Sequence, residues 1–271
     1  MNSIVGPNQM PHSPTNEPSA SRGIHISRGV TPRIPVGGLV IRIGADGVPT
    51  TSAHLELQLD TCIHWLEIAV ENLARAKAAN EGLISSRAAG ATDFGALLDQ
   101  EFKASIQASV AAATFFEALH AATLERMPVR PTAKGSNRRQ RPARYSVVTE
   151  AVRQAFGLKK QGTSNLRSVL REVYRFRDEA VHPSAKFSEP VMHPELGVGV
   201  ERRFLMFRYG SARQLVRAAL AFSKILTTRD LTRRSKPIQD FAAYLLAVCE
   251  PLYPHWEKEF GQLLDPPQGA A

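Results

Sequence analysis

Three polar residues, Arg177, Asp178 and His182, stand close together in the sequence and carry side chains suited to phosphate chemistry. The planar guanidinium of an arginine donates two parallel hydrogen bonds to a phosphate and keeps its charge at physiological pH. A histidine gains and loses a proton near neutral pH, so it serves as a general acid or base. Asp178 precedes His182 by four residues, the spacing at which two side chains meet on one helix face. We expect Asp178 to orient the imidazole.

These residues fall at the end of a helix predicted from about Thr163 to Val181, with Thr163 or Ser164 as its cap. Apolar residues recur on this helix every three or four positions and form a face that must be buried: Leu166, Val169, Leu170, Val173, Phe176, Ala180 and Val181. A second stripe of the same spacing would face an anionic ligand such as RNA: Arg167, Arg171, Tyr174, Asp178 and His182.

The side chains of Arg177 and His182 can converge only if the helix ends before His182. In a continuous helix, residues five apart are separated by about 140° around the axis. Pro183 biases the residue before it away from the α region, which lets His182 leave the helix and turn back towards Arg177. Arg177 itself lies four residues from both Val173 and Val181, at the edge of the apolar face. An unpaired charge is costly there, so Arg177 needs a partner or a bound anion.

Arg177, Asp178 and His182 match the short motif of the HEPN superfamily (higher eukaryote and prokaryote nucleotide-binding domains), an Arg, a polar residue, a spacer and a His on a helical bundle. Over about Ala53–Phe187 the chain resembles this superfamily, although the first helices agree only in being long and amphipathic. The resemblance implies an all-helical homodimer that brings two motifs to a shared cleft. It also implies a metal-independent endoribonuclease that acts as a toxin or anti-phage defence effector, with an antitoxin or regulatory protein as a partner.

The chemistry that this resemblance implies needs few protein groups, because RNA supplies its own nucleophile, the 2′-OH beside the scissile phosphate. His182 would be the acid or base and Arg177 the phosphate clamp, and the product would end in a 2′,3′-cyclic phosphate. The alternative is a non-catalytic nucleotide-binding or protein-interaction module. In that case Arg177 pairs with Asp178, Glu179 or a neighbouring helix, and His182 is only a helix-end residue.

The charge balance of the chain favours anionic partners, since its formal net charge is +9 and its pI is near 9.9. Residues 128–144 contain six cations and no acidic residue. Within this basic loop we expect RNA contacts from Arg138, Arg139 and Arg141, which would release counterions from the phosphates they neutralise. The alternative is a solvated insertion with no ligand.

The predicted fold class is mainly α: a HEPN-like antiparallel helical bundle with a small β-hairpin and a disordered N-terminal arm. The arm covers 1–35, which is rich in Ser, Pro, Asn and Gly, and the hairpin covers 36–53. The helical core covers 54–187, with the basic insertion at 128–144. A strand-like segment and C-terminal helices that pack on the core cover 188–271.

The periodicity predicts six helices, over about 54–80, 93–127, 145–158, 163–181, 212–228 and 237–264. Asp93 is expected to cap the second helix, and Pro251 and Pro254 are expected to bend the last one. The segment Leu196–Tyr209 is loosely strand-like, and we expect it to pair with the hairpin.

Several classes of protein are disfavoured by the sequence. Cys62 and Cys249 fall among apolar residues of predicted helices, which suits reduced core thiols in a cytoplasmic protein. No apolar run approaches the ~18 residues that a membrane span needs. The sequence has neither a phosphate-cradling Gly-rich loop followed by Lys nor a His-Glu-x-x-His zinc helix, so we predict no metal and no cofactor.

Overall fold

The computed structural model describes residues 26–127, 142–183 and 186–264. Its eight helices, counted over these ranges, are α1 Cys62–Ala88, α2 Gly95–Glu125, α3 Arg144–Phe156, α4 Lys160–Val181, α5 Arg202–Met206, α6 Tyr209–Thr227, α7 Lys236–Cys249 and α8 Leu252–Phe260. The remaining elements are short strands in two-stranded sheets. The predicted mainly α class is therefore confirmed.

The two longest helices, α1 and α2, form the largest helix–helix contact of the fold. Small residues on the buried face of α2, such as Ala108 and Ala112, let the backbones approach closely, and Phe115 and Phe116 fill the core beyond them. Helix α4 packs on α2 and α3, and α6 packs on α1 and α2. Side chains from α1 to α4 and α6 to α8 form a single hydrophobic core.

Two sheets precede the helices. Strand β1 (Val30–Arg33) pairs antiparallel with β4 (Glu56–Leu59), and β2 (Leu39–Ile43) pairs antiparallel with β3 (Pro49–Ala53). The second pair lies where the hairpin was predicted. The first pair corrects two predictions. The N-terminal arm was predicted to reach residue 35, but β1 lies within that range. The first helix was predicted to begin at residue 54, but β4 precedes it.

Contacts distant in sequence explain why the chain near β1 is ordered. The Arg28 guanidinium binds the Glu67 carboxylate on α1 and the Val248 carbonyl on α7. The Arg28 carbonyl lies 3.0 Å from Nε2 of His64. Gly29 adopts φ +87°, and a side chain there would meet the Asp60 carbonyl, so only glycine fits this turn.

The segment Leu196–Tyr209 does not pair with the early hairpin, so that prediction was wrong. Strand β6 (Gly199–Val200) pairs with β5 (Val191–Met192) instead, and the following residues form α5. Glu201 caps this helix by accepting a hydrogen bond of 2.8 Å from the Arg203 N–H. Phe204 and Phe207 then both reach the ring of Phe102 on α2, an arrangement that strand geometry would not allow.

Helix α1 continues to Ala88, eight residues past its predicted end at residue 80, and the ends of the other predicted helices differ from the prediction by four residues or fewer. Helix α4 begins at Lys160, so neither Thr163 nor Ser164 is its cap, and the Thr163 hydroxyl donates back to the Lys159 carbonyl at 2.9 Å. The predicted bend in the last helix is a break at Pro251 between α7 and α8. Among the described helices, none combines the length and apolar character that crossing a membrane requires.

Candidate functional site

The Arg177–His182 run forms the last turn of α4 and its C-cap. Most of the predicted apolar face of this helix is buried, namely Leu166, Leu170, Val173 and Phe176. Val169 and Ala180 are partly buried, and Val181, at the helix end, is 54% exposed, so its predicted burial was wrong. His182 has φ −124° and ψ 59°, so it leaves the α region directly before Pro183, as its sequence position indicated. Its backbone N–H donates to the Asp178 carbonyl at 2.8 Å. The imidazole is thus held at the helix end and exposed to solvent.

Arg177 is half-buried and paired with two carboxylates. Its Nε and Nη2 donate to Oδ1 of Asp178 at 3.0 and 2.5 Å. Its Nη1 lies 3.5 Å from Oε1 of Glu117 on α2. The guanidinium also lies over the Tyr174 ring, 5.0 Å from the centroid, in a cation–π contact. An arginine at the edge of an apolar face needs a partner, and Asp178 and Glu117 provide it. The non-catalytic alternative also predicts such pairing.

A second arginine, Arg144, binds the same Glu117 carboxylate. It lies at the start of α3, and its Nε is 3.0 Å from each oxygen of Glu117, while its Nη2 also contacts Oε2. Its Nη2 lies 3.2 Å from Nδ1 of His120, one turn further along α2. Glu117 thus bridges Arg144 and Arg177 and holds guanidinium groups from two different helices near each other.

The charge states in this cluster follow from its geometry. Burial alone would raise the pKa of Glu117, but hydrogen bonds from Arg144, the proximity of the Tyr174 hydroxyl and the charges of Arg144 and Arg177 lower that pKa below its usual value. Burial and the Arg144 charge lower the pKa of His120. Burial and the Glu117 carboxylate raise the pKa of Tyr174. At neutral pH, Glu117 is therefore an anion between two cations, with His120 and Tyr174 uncharged beside it.

Arg144, Tyr174 and Arg177 of this cluster line a groove of about 990 Å³ between α3 and the second half of α4. Its charged and aromatic lining is Arg144, Tyr145, Arg171, Glu172, Tyr174, Arg175, Arg177, Asp178, Glu179 and His182. Three of the four arginines are bound to carboxylates: Arg144 to Glu117, Arg175 to Glu172 and Arg177 to Asp178. Four guanidinium groups and an exposed imidazole in one open groove can bind a phosphate and move a proton beside it.

The predicted RNA-binding residues are placed differently by the structure. Arg171 lines the groove, whereas Arg167 is exposed outside it. The hydrogen bond from Arg153 is the main cause of the lowered pKa of Glu150 on α3, and the nearby charge of Arg167 adds to it. Tyr174 is only 4% exposed, so its ring supports Arg177 and offers no free face for stacking on a base. Its predicted role as a direct RNA contact is corrected accordingly. The predicted residues Arg138, Arg139 and Arg141 lie outside the described residues.

The expected role of Asp178 also changes. Its carboxylate was predicted to orient the His182 ring, but it binds the Arg177 guanidinium on the adjacent residue. The contact between Asp178 and His182 runs through the backbone alone. Arg177 and His182 line the same groove, and the structure gives no hydrogen bond between their side chains.

Sequence reasoning did not find Glu117 and His120, and it treated Arg144 only as part of a basic loop. One signal was available: Glu117 directly follows Phe115 and Phe116 on a predicted helix, so it lies beside an apolar face where a charge needs a partner. Within the described ranges, no three His, Cys, Asp or Glu side chains are grouped so that they could hold a metal ion.

The chain matches no protein-family model, no curated protein and no solved structure.

Proposed function

We propose that this protein is a metal-independent endoribonuclease of the HEPN type, with His182 as the acid or base and Arg177 as the phosphate clamp. The single observation that supports this most is the groove in which Arg177, a second arginine and an exposed His182 lie together. The position of His182 at a helix end, outside the α region, supports it further.

The reaction can be derived from these groups. The 2′-oxygen of RNA attacks the adjacent phosphorus and loses its proton to the His182 imidazole, while the bond from phosphorus to the 5′-oxygen breaks. Arg177 and Arg144 stabilise the negative charge that builds on the phosphate oxygens. The leaving 5′-oxygen needs a proton, and in a homodimer with a shared cleft a second imidazole, His182 of the partner subunit, would supply it. The products are a 2′,3′-cyclic phosphate and a 5′-hydroxyl.

The biological role that goes with this activity is that of a toxin or anti-phage defence effector in the cytoplasm, controlled by an antitoxin or regulatory protein. Synthesis of the wild-type protein in bacterial cells should then arrest growth, and the His182→Ala variant should not. Equal growth of cells that produce either protein to the same level would contradict this role.

A second function is favoured by the ion pairs of Arg177. Because Asp178 and Glu117 already compensate its charge, the cluster can stabilise the bundle with no substrate. The protein would then be a non-catalytic nucleotide-binding or interaction module.

The deciding experiment incubates full-length wild type and His182→Ala with labelled RNA in excess chelator. We expect cleavage by the wild type, with cyclic phosphate ends identified by mass, and a loss of about 10²–10⁴-fold in the variant. His255→Ala is a matched control, because His255 is exposed on α8 and does not line the groove. Equal cleavage by His182→Ala and wild type, or cleavage by neither, would reject the ribonuclease and favour the non-catalytic module.

A further inference from the structure

Two loops meet at the N-terminal end of α4, the end opposite to His182. One is the turn between α3 and α4, and the other is the loop between α6 and α7. Nη2 of Arg229 donates to the Gly157 carbonyl at 3.1 Å, and Nη1 of Arg234 donates to the Gln154 carbonyl at 3.3 Å. Both carbonyls belong to the end of α3, where helical acceptors lack partners. Gly157 has φ +65°, and a Cβ there would lie 2.6 Å from Nη2 of Arg234. The positive φ favours glycine at this position, and the missing side chain leaves room for the Arg234 guanidinium.

Three exposed cations lie on these two loops and at the start of α4, and we call them the far basic patch: Lys159, Lys160 and Arg233. Within the described part of the chain, none of the three has a carboxylate partner. The carboxylate of Asp230, in the same loop, accepts hydrogen bonds from the Thr232 N–H and hydroxyl at 3.0 and 2.8 Å. The patch is thus a site of positive charge that the fold leaves uncompensated.

The start of α4 adds to this potential. The helix begins at Lys160 with no acidic residue in its first turn and no side-chain cap. A helix N-terminus carries a partial positive charge, so lysines are unfavourable there unless an anion lies nearby. If only the stability of the helix mattered, acidic residues would be expected in its first turn instead of lysines.

The far basic patch continues along α4 to the groove. Lys160, Arg167 and Arg171 follow one another at spacings of seven and four residues, which places them on one helix face. Arg171 lines the groove. Like the patch, Arg171 has no ion-pair partner within the described residues, whereas Arg167 lies near the Glu150 carboxylate. At a rise of 1.5 Å per residue, Lys160 and His182 are about 33 Å apart along the axis.

We propose that the far basic patch and this line of cations form an extended track for the phosphate backbone of RNA whose scissile phosphate lies in the groove. The inference rests on the proposed function, since it takes RNA as the ligand. A nucleic-acid strand in a duplex carries a phosphate every ~3.4 Å, so a track of about 33 Å meets a run of phosphates rather than one.

The chemistry of the surroundings favours a polymer over a membrane surface. Polar residues separate the cations on α4, among them Gln161, Ser164 and Asn165. None of the large apolar side chains exposed in the described ranges lies between residues 157 and 171 or between 228 and 236. A surface that binds membranes would combine its cations with such side chains. Contacts from Lys and Arg to phosphates carry no base specificity, so the track would set affinity and direction rather than sequence.

The test measures RNA binding by full-length His182→Ala, which binds without cleaving. Labelled RNAs of 4 and 16 nucleotides are titrated by fluorescence anisotropy at several salt concentrations. The patch variant adds Lys159→Gln, Lys160→Gln and Arg233→Gln. The control variant instead adds Arg42→Gln, Arg75→Gln and Lys258→Gln, which remove the same charge from exposed positions on β2, α1 and α8.

We expect the patch variant to bind the 16-nucleotide RNA about tenfold more weakly than the control variant at low salt. Its slope of log affinity against log salt should fall by about 2, because each single-strand phosphate contact contributes about 0.7 to that slope. The gain in affinity from 4 to 16 nucleotides should shrink correspondingly. An equal loss in the control variant, or an unchanged salt slope, would overturn the track.

Two further results separate this inference from the proposed function and from other ligands. Cleavage by wild type together with an unchanged salt slope would keep the ribonuclease and reject the track. No cleavage together with a reduced slope would reject the ribonuclease and keep an RNA-binding track. If the patch variant lost binding to vesicles of anionic phospholipid but kept its RNA affinity, the surface would serve a membrane and the proposal would be wrong.

Discussion

Helix α2 carries two buried or half-buried glutamates, Glu101 and Glu117, that have opposite electrostatic surroundings. Their separation of 16 residues corresponds to about 24 Å along the helix and about 160° around it, so they face different neighbours. Glu101 lies among neutral donors, and Glu117 lies between two arginines. The same residue type on one helix therefore serves different purposes.

Glu101 is 1% exposed and holds parts of the fold together. Its Oε1 accepts hydrogen bonds from the Asn80 amide at 3.2 Å and from the Tyr209 N–H at 2.7 Å. Tyr209 begins α6, which has no cap from its own N-cap side chain, so Glu101 acts as the cap from 108 residues away. Burial raises the pKa of Glu101.

Glu117 retains a side-chain exposure of 25% and binds Arg144 and Arg177, two arginines that line the groove, and its pKa is lowered below the usual value. A carboxylate among neutral donors is costly to ionise and supports packing, whereas a carboxylate among guanidinium groups stays ionised and orients them. We therefore relate the cluster around Glu101 to the stability of the fold and the cluster around Glu117 to the proposed anion chemistry. Four measurements can break or sharpen this division.

The largest effect is expected from Arg177→Ala in the groove. Losing one charged donor to the transition-state phosphate should lower kcat/KM for RNA cleavage by about 10²–10³-fold. The free energy of unfolding should change by less than about 1 kcal/mol, because Arg177 is half-exposed. Arg175→Ala is the control, since Arg175 lines the same groove but pairs with Glu172. Equal losses in both variants would mean that general positive charge, and not the Glu117 cluster, drives the chemistry.

Glu101→Ala should have the largest effect on stability. The variant loses the cap of α6 and leaves the Asn80 amide without its partner, so we expect the free energy of unfolding to fall by about 2–3 kcal/mol in urea denaturation. Cleavage per folded molecule should be unchanged. Glu71→Ala, exposed on α1, should stay within about 0.5 kcal/mol of wild type. A Glu101→Ala variant as stable as wild type would show that the buried carboxylate is not needed for the fold.

The sequence predicted best the features that depend on neighbouring residues. The buried face of α4 follows from its periodicity, and the departure of His182 from the helix follows from Pro183. The need of Arg177 for a partner also follows from its place beside Val173 and Val181. Each of these conclusions uses residues within two helical turns.

The features that the sequence did not predict depend on packing between distant segments. Glu117 lies 27 residues from Arg144 and 60 from Arg177, so their contact is fixed only when α2, α3 and α4 pack together. Strand β1 contains four residues, including a proline, and gains its order from pairing with β4. Asp178 was assigned to His182 by the four-residue rule, which ignored the cation directly beside it.

The pH dependence of stability should distinguish the two glutamates through Glu101→Gln and Glu117→Gln. Glu117 has a lowered pKa in the folded state, so its stabilising contribution is present above the unfolded pKa and is lost as pH falls through the folded pKa. Glu101 has a raised pKa in the folded state, so the folded protein binds more protons at this residue than the unfolded protein does. The free energy of unfolding therefore falls as pH rises from the unfolded pKa to the folded pKa of Glu101.

The difference in unfolding free energy, wild type minus variant, should therefore rise with pH for Glu117→Gln and fall with pH for Glu101→Gln. Urea denaturation at pH steps on both sides of the ordinary glutamate pKa, about 4.3, gives both curves. Slopes of the same sign would contradict the proposed division between a fold cluster and a groove cluster.

The smallest effect is expected from Asp178→Asn. The Asp178 carboxylate occupies Nε and Nη2 of Arg177, the edge that would bind a phosphate, so it competes with an anionic ligand. Exposed ion pairs contribute about 0.2–1 kcal/mol, so Asp178→Asn should bind inorganic phosphate up to about fivefold more tightly in calorimetric titrations. Glu172→Gln removes the same charge from the groove but frees Arg175, and should have less effect on phosphate at Arg177. Weaker phosphate binding by Asp178→Asn would show instead that Asp178 orients Arg177 for its ligand, which would make the carboxylate part of the site rather than its competitor.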